Sequence, residues 1–524
     1  MLRSTFAGFT TAQLGMAASQ RALDVVGQNI ANINTPGYTR QRLDIVSLNT
    51  QKGDFYNADS VIKVGYGVEM TGISQLRDPF LDIQYRSQIA KVGTSDAHSA
   101  GYEQLATIFD ESTVEGVRAA FQDITSALQS YSNESGNDEF DSMVRSNMQV
   151  LINLLRDDSI RLQDIRTDMQ VGFASTDIVD VNELLENIAN LNKNIKNSQI
   201  LGNPALELQD ERNSLLDELA SYLPITTNYR QQTVGPGYSV EVLDVVFTDT
   251  NGKKYKLISD GEAGSFSADV SDIPVQLHVS DYKGDTANIT ELLGDGTLKG
   301  TLDILNKSGD FDNTDVKGLG YYEKALDNLV DTFAKAFNEA NRALVTNPDG
   351  TVVIPEQWED RPLFETKDKS DTFTAQNIKI ADKWLSGEYR ITKSIIPIDG
   401  KIGSTSSDNI NNMLNLMGAS HTFQVKVDAT KTVKFYTGSF HDCFAELENT
   451  LGIDAKSAET MLGNQIAVLN QTSNSRDAVS GVSLDEEGMN LLHFNQSYNA
   501  AARLMTTLDE ALDKLINGTG VVGR

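Results

Sequence analysis

Hydrophobic residues at both ends of the chain recur at alternating steps of three and four, which is the spacing of a narrow apolar seam along an α-helix. A single helix cannot bury such a seam, and the pattern is typical of helices that pair as coiled coils. We therefore predict that both ends are helical, that they pair, and that they form an assembly interface. The N-terminal seam comprises Phe9, Ala12, Met16, Ser19, Leu23, Val26, Ile30 and Ile33, and the C-terminal seam comprises Leu491, Phe494, Tyr498, Ala501, Met505, Leu508, Leu512 and Leu515.

The pattern between the two seams changes several times along the chain. Helical spacing dominates from about residue 78 to 222, returns at about 321–342, and runs from about 439 almost to the end with a break at 479–483. Alternating apolar residues flank Asn251-Gly252, a dipeptide favoured in tight hairpins, and recur around Phe423 and Phe435. These two alternating regions predict β-rich inserts within a helical chain.

The order of these segments predicts a multidomain, mainly α protein. It has terminal coiled-coil helices, a helical bundle built from both halves of the chain, and inserted β-rich domains. The terminal coiled-coil assembly domain comprises 1–38 and 484–524, and the mainly helical domain, which begins with an extended segment, comprises 39–223, 306–346 and 438–483. The β-rich inserts are 224–305 and 347–437. The domains are therefore nested rather than serial.

Two short motifs bound the terminal helices. Asn34-Thr35-Pro36-Gly37-Tyr38 predicts a helix stop and a type II turn, because proline disfavours helical geometry in the residue before it and glycine tolerates a positive φ. We expect Tyr38 to anchor this turn against a neighbour. Ser483-Leu484-Asp485-Glu486 has the form of a capping box at the start of the last helix. We interpret Asp485 and Glu486, with Glu487, as helix-start residues that favour the positive end of the helix dipole, rather than as a metal or catalytic site.

Charge and hydropathy exclude several classes of partner. The 524 residues include 73 acidic and 44 basic side chains, which gives a formal net charge of -29. Such a surface repels phosphate backbones and anionic membranes, so we expect no nucleic-acid partner. No stretch approaches the roughly 18 apolar residues of a membrane span. The N-terminal residues also lack the pattern of a cleaved secretory signal, so we expect neither membrane insertion nor signal cleavage.

The sequence offers no convincing site for chemistry. His441-Asp442-Cys443 is the one place where nucleophile and base types adjoin, but neighbouring residues on a helix point in different directions. The single cysteine excludes an intramolecular disulfide, and the five histidines lack the spacing of a zinc site. We therefore expect no catalytic residue, no metal and no cofactor, and we predict that the protein is not an enzyme.

Segments at both ends resemble one family. Residues 28–40, which read QNIANINTPGYTR, resemble the N-terminal signature of the bacterial flagellar axial proteins, the rod, hook and hook-associated group. The TPGYTR ending is most similar to the hook-associated branch. Residues 480–487, which read SGVSLDEE, and 495–503, which read NQSYNAAAR, resemble the C-terminal block of that group. A weaker resemblance covers 206–219, and the β-rich inserts carry none.

The resemblance implies a structural adaptor at the junction between hook and filament, outside the cell. It also implies export through the flagellum's own type III channel without a cleaved signal peptide. The implied partners are further copies of the chain in a ring or helical layer, hook protein, the next hook-associated protein or filament, and an export chaperone. Two alternatives stay open: another axial protein such as hook or distal rod protein, or a flagellum-borne adhesin or enzyme with its activity in the inserts.

Overall fold

The computed structural model describes residues 6–48, 67–109, 116–235, 238–308, 316–348, 351–353, 356–403, 406–426 and 432–518. These residues are mainly helical and carry several small antiparallel sheets, which confirms the predicted fold class. A π-helical turn, Phe173–Asp177, joins the fourth helix to the fifth. The helices are α1 Phe6–Ala31, α2 Pro79–Ala106, α3 Val117–Asn133, α4 Glu139–Gly172, α5 Ile178–Ile200, α6 Leu206–Tyr222, α7 Thr297–Asn306, α8 Leu319–Ala340, α9 Asp382–Leu385, α10 Asp408–Gly418, α11 Phe440–Ser480 and α12 Leu484–Gly518.

All strand pairs within the described residues are antiparallel, and each sheet joins strands that are close in sequence. The four-stranded sheet has the order β3 Ile225–Gly235, β4 Tyr238–Thr248, β5 Lys254–Ser259 and β6 Glu262–Ala263, and the three-stranded sheet has the order β7 Ser265–Asp269, β8 Gln276–Ser280 and β9 Thr286–Asn288. The two-stranded sheets are β1 Gln41–Ser47 with β2 Val68–Gln75, β10 Ala343–Leu344 with β11 Trp358–Glu359, β12 Phe364–Thr366 with β13 Ile378–Ile380, and β14 His421–Lys426 with β15 Thr432–Gly438.

Helices from the two halves of the chain pair in two successive layers. α1 packs against α12, and α2 packs along α11. The second pair is joined by a hydrogen bond between side chains, in which Gln88 Nε2 donates to Gln465 Oε1 at 2.6 Å. Each layer therefore needs an N-terminal and a C-terminal segment of the described chain.

One continuous apolar core fills the middle of the molecule and lies between Tyr102 and Leu451 in sequence. Aromatic rings form its centre, where the centroids of Phe333 and Phe440 are 5.2 Å apart in an edge-to-face contact. No described residue of α1 or α12 belongs to this core. The terminal helix pair is thus packed separately from the body of the protein.

The first insert contains the hairpin predicted at Asn251-Gly252. Gly252 has a φ of +85°, and its N–H donates to Asp249 O at 2.9 Å in the turn between β4 and β5. The same predicted insert, however, ends in a helix rather than in strands, since α7 covers its last residues and packs against α2. Gly300 permits that contact, because a Cβ at this position would lie 2.6 Å from Thr94 O. The second insert combines short strands with α9 and α10. The four-part division of the chain stays a prediction.

Three acidic residues one turn apart on α8 bind groups on their neighbours. Glu323 Oε2 accepts a hydrogen bond from Arg166 Nη2 at 2.7 Å. Asp327 Oδ1 accepts one from the backbone N–H of Ala375 at 2.9 Å, and Asp331 Oδ1 accepts one from the N–H of Phe373 at 3.0 Å. Burial, reinforced by these two like charges, raises the pKa of Asp327 to about 6.

Asp327→Asn is expected to stabilise the protein at neutral pH. Because the folded-state pKa is raised from 3.8, ionisation of Asp327 disfavours the folded state progressively as the pH rises from about 4 to 6. Asparagine keeps an oxygen that can accept the Ala375 bond but carries no charge. We expect the free energy of unfolding in urea to increase by on the order of 1–3 kcal/mol at pH 7 and by nothing at pH 4. An equal gain at both pH values would contradict the assignment.

Candidate assembly site: the terminal helix pair and its polar clasp

α1 and α12 run antiparallel in one heptad register. A Cβ on Gly8 would lie 3.1 Å from Leu508 Cδ1, and a Cβ on Gly15 would lie 3.8 Å from Ala501 Cβ. Seven residues forward on α1 therefore correspond to seven residues back on α12. Two heptads further along, Asn29 Nδ2 donates to Glu487 Oε2 at 3.2 Å, which keeps the same register.

Small residues on α1 set how closely the helices approach. Ala12, Ala18 and Ala22 are buried, and Gly8 and Gly15 face Leu508 and Ala501 of α12. The β1–β2 hairpin lies against another part of α1, because a Cβ on Gly67 would be 3.3 Å from Leu14 Cδ1. α1 is thus held between α12 and the hairpin, while α12 is covered on one side.

The predicted seam residues fall into two groups in the structure. Those buried or half-buried are Phe9, Met16, Leu23, Val26 and Ile30 on α1, and Phe494, Ala501, Met505, Leu508 and Leu512 on α12. Leu491, Tyr498 and Leu515 are exposed. Part of the C-terminal seam therefore lies outside the contact that the two helices make within one chain.

Ile33 requires a correction, because α1 ends at Ala31 and Ile33 lies exposed in the following turn. Asn32 closes that turn: its backbone oxygen accepts from Thr35 N at 2.9 Å, and its Oδ1 accepts from Thr35 Oγ1 at 3.2 Å. The helix therefore stops before Asn34 rather than at it.

The motif turn, Asn34 to Tyr38, reverses the chain toward α1. Its backbone bond joins Tyr38 N to Thr35 O at 3.2 Å across Pro36 and Gly37, and the φ of Gly37 is +77°, as a type II turn requires. The hydroxyl of Tyr38 then donates to Asn29 Oδ1 at 2.9 Å. The tyrosine thus anchors the turn against its own helix.

Tyr38 of the turn belongs to a polar cluster that we call the terminal clasp. Its members are Asn29, Tyr38, Arg40, Gln41 and Glu487. Asn29 is 1% exposed, and its amide uses every hydrogen-bonding position. Nδ2 donates to Gln41 O at 2.9 Å and to Glu487, while Oδ1 accepts from Gln41 N at 3.0 Å and from Tyr38. One side chain therefore fixes the end of α1, the turn, the start of β1 and α12.

The clasp also contains an ion pair between the two halves of the chain. Arg40 Nε donates to Glu487 Oε1 at 2.8 Å, and Glu487 is 1% exposed. Arg40 Nη1 reaches the exposed carboxylate of Glu486 at 2.5 Å, and its backbone N–H donates to Ser480 O at 2.9 Å. Arg40 thus joins the end of α11 and the start of α12 to the N-terminal segment.

Burial raises the pKa of Tyr38 to about 12, and the nearby carboxylates of Asp210, Glu207 and Glu487 act in the same direction. The phenol therefore keeps its proton at neutral pH. A protonated hydroxyl is what the bond to Asn29 requires, since the amide oxygen can only accept.

The predicted helix cap has a second role. Ser483 Oγ accepts from Glu486 N at 3.5 Å, which is a weak cap bond, and the Glu486 carboxylate turns toward Arg40. Asp485 is exposed. The interpretation of Glu486 and Glu487 as helix-start residues is therefore incomplete, because both pair with an arginine far away in sequence.

A second polar cluster fastens the clasp to the body. Thr39 N donates to Asp210 Oδ2 at 3.0 Å. Asp217 bridges two helices, since its carboxylate accepts from Arg86 Nε of α2 at 2.7 Å and from Arg476 Nη1 of α11 at 2.5 Å. Both aspartates lie on α6, in the segment whose resemblance to the axial proteins is weaker. That segment therefore contacts the N-terminal signature directly, and it contacts α11 four residues before the C-terminal signature begins.

The described residues contain no group of three or more His, Cys, Asp or Glu that could hold a metal ion. Cys443 is buried, which raises the pKa of its thiol, and the side chain of His441 is 38% exposed. No helix in the described part of the chain is long and apolar enough to cross a membrane.

Three family models match successive parts of the chain. Residues 102–352 match the helical domain of flagellar hook-associated protein FlgK. Residues 9–39 match flagella basal body rod protein, and residues 476–518 match the C-terminal model of the flagellar basal body rod FlgEFG proteins. The last two matches cover both members of the terminal helix pair and the whole clasp except Arg40 and Gln41.

Comparison with whole proteins decides the family. Flagellar hook-associated protein 1 of Bacillus subtilis (strain 168) is 30% identical to this chain, over 100% of both chains. The chain belongs to the flagellar hook-associated protein 1 family. Its relative of that name in Escherichia coli (strain K12) is 26% identical over 97% of this chain and 98% of its own length. Membership in this family makes the chain a structural protein of the flagellum.

A solved structure shares the fold. The flagellar hook junction protein FlgK from Burkholderia pseudomallei superposes with a TM-score of 0.53, at 12% sequence identity, over 76% of this chain and 100% of that one. The similarity in fold therefore covers about three quarters of this chain.

Glu487→Gln is expected to loosen the clasp. The substitution keeps the size of the side chain but removes the buried charge opposite Arg40, which itself stays largely buried. Removing one partner of a fully buried pair costs about 3–5 kcal/mol, and we expect about 1–2 kcal/mol here because Glu486 can still bind Arg40.

Hydrogen exchange of the amides between residues 28 and 41 measures this effect, and about tenfold faster exchange is the expected result. Glu486→Gln is the matched control, because Glu486 binds the same arginine from an exposed position. If the two variants exchange equally fast, the buried pair does not hold the terminal helices.

Proposed function

We propose that this chain is the structural adaptor at the junction between hook and filament, and that its terminal helix pair is the element through which it assembles. The observation that carries the proposal is the exposed apolar surface of α12. Leu484, Leu492 and Ile516 are exposed together with the seam residues Leu491, Tyr498 and Leu515. Exposed apolar surface that is larger than usual marks interaction sites, and the apolar side chains left uncovered along α12 support an assembly interface.

Self-assembly into a ring or helical layer would cover this surface. A contact between different faces of identical subunits repeats from copy to copy and produces a closed ring or a continuing helix. The clasp supports this geometry, because it fixes the direction of the terminal pair relative to the body. In this proposal each copy presents its exposed α12 residues to the adjacent copy.

The further partners follow from the position at the junction. Hook protein lies on one side, and the next hook-associated protein or filament lies on the other. We propose that the chain reaches the outside of the cell through the flagellar type III channel without cleavage of a signal peptide, assisted by an export chaperone. The absence of a cysteine pair is consistent with passage as an unfolded chain.

The two alternatives have less support. The first alternative is another axial protein, such as hook or distal rod protein. The models of the basal body rod proteins, which would support it, match only residues 9–39 and 476–518. The match over 102–352 is to a hook-associated protein. No observation on the inserts favours an adhesin or an enzyme.

Deletion of the gene tests the proposed position. We expect cells that carry hooks but no filaments and that shed unassembled flagellin into the medium, because filament growth lacks its base. Electron microscopy of isolated flagella and immunoblots of the medium give the two measurements, and expression of the intact gene from a plasmid is the control. Filaments of normal number and length on the deletion strain would refute the proposal.

A further inference from the structure

Helix α11 contains a long stretch without charge. The sixteen consecutive residues 460–475 include no Asp, Glu, Lys or Arg, in a chain of which 22% of the residues are charged. Charged pairs lie at both ends of this stretch, Lys456 with Glu459 at one end and Arg476 with Asp217 at the other. The interruption in charge is therefore local to this part of the helix.

One side of this stretch is exposed. Asn464, Val468, Gln471 and Ser475 follow the three–four spacing of a single helix face, and all four are exposed. Val468 is 48% exposed. Gln465, in contrast, points to α2 and binds Gln88. The exposed residues are thus not needed for packing within the chain.

The adjoining part of α2 continues the same uncharged surface. Phe80 and Ile83 are 62% and 55% exposed. Between the two helices lies a groove of about 550 Å³, and every residue that lines it is uncharged. The lining of the groove combines apolar and amide or hydroxyl side chains, among them Leu81, Gln84, Val468, Gln471 and Thr472.

Charge decides which partner suits this surface. Two copies of a chain with a net charge of -29 repel each other, so contact between them is least costly where neither surface carries charge. A basic partner would gain nothing from an uncharged face, since the acidic residues that would attract it lie elsewhere. An uncharged face is therefore the place where a partner of the same net charge can bind at the least electrostatic cost.

We propose that the exposed face of 460–475 on α11, with the adjoining residues 80–87 of α2, binds a second copy of this chain in the assembled layer. The inference rests on the proposed function and adds a second contact in the body of the subunit to the one made by α12. Sixteen helical residues span about 24 Å, which gives a face smaller than a standard stable interface. Such a contact acts when the terminal helices already hold the copies together.

Photo-crosslinking in assembled flagella tests the contact. A benzophenone amino acid replaces Asn464 in one variant and Gln471 in another, and it replaces Lys383, an exposed residue of the second insert, in the control. Flagella are purified from irradiated cells. We expect the first two variants to give a product of twice the 57.3 kDa chain mass, in which both peptides come from this chain, and the control to give none.

The other outcomes separate the two proposals. If the chain is absent from purified flagella, the proposed function is overturned. If the chain is present but Asn464 and Gln471 crosslink to a different flagellar protein or to nothing, the α11 contact is overturned and the junction assignment stands.

Charged substitutions give an independent readout. Asn464→Glu combined with Gln471→Glu places negative charges in a contact with a chain of the same negative net charge, and we expect about tenfold fewer filament-bearing cells. Asn464→Gln combined with Gln471→Asn is the neutral control and should preserve filaments. Export of both variants is followed in the medium, and circular dichroism of the purified variants distinguishes loss of folding from loss of assembly. Normal filament counts with the charged pair would overturn the contact.

Discussion

The rest of the structure depends on the pairing of α1 with α12 in a single antiparallel register. This pairing brings the two ends of the described chain together. The chain leaves the terminal pair after α1 and returns to it at α12. α2 and α11 pair next, and the apolar core from Tyr102 to Leu451 follows. Nesting is therefore a consequence of where the ends meet, and deletion of either end removes half of a layer.

Polar contacts, rather than the main apolar core, connect the terminal pair to the body. Hydrogen bonds are directional, and a buried ion pair adds little net stability when both partners are desolvated. The terminal clasp is therefore suited to fixing an orientation. Asn29 fulfils this role most fully, because its amide contacts the turn, β1 and α12 at once. The apolar side chains of α12 meanwhile stay exposed for contact with neighbours.

The two terminal helices and their pairing could be predicted from the sequence. A regular apolar stripe marks the face of a helix that must be covered by a partner. The sequence could not predict the register, since Gly8 and Gly15 contribute to the contact through their small size and do not belong to an apolar pattern. Periodicity also extended the first seam to Ile33, although the hydrogen bonds of Asn32 end the helix earlier. The ten-residue helix α7 lies inside a predicted β-rich insert, because the boundary was set near residue 305 and no separate signal marked the helix after the strands.

The ion pair between Arg40 and Glu487 was missed for a different reason. The two residues are 447 positions apart, and no local pattern relates them. A usable signal was nevertheless present, because a basic residue ends the N-terminal signature and acidic residues end the first part of the C-terminal one. In an antiparallel pair the end of α1 lies beside the start of α12. Opposite charges at these two positions are therefore a reason to expect an ion pair.

A designed disulfide tests most directly the claim that α1 pairs with α12 within one chain. It forms only if the two helices pair in the same chain and in the observed register. The Cβ on Gly15 would lie 3.8 Å from Ala501 Cβ, which matches the usual separation of about 3.8 Å in disulfides. The only native cysteine, Cys443, is buried and should not compete.

For the variant Gly15→Cys with Ala501→Cys, mild oxidation should give a disulfide within one chain, seen as a faster monomer band on a non-reducing gel. Gly15→Cys with Asn499→Cys, which displaces the second thiol from the seam, should give none. A disulfide that joins two chains, or equal oxidation of the two variants, would contradict the pairing of the terminal helices within one subunit.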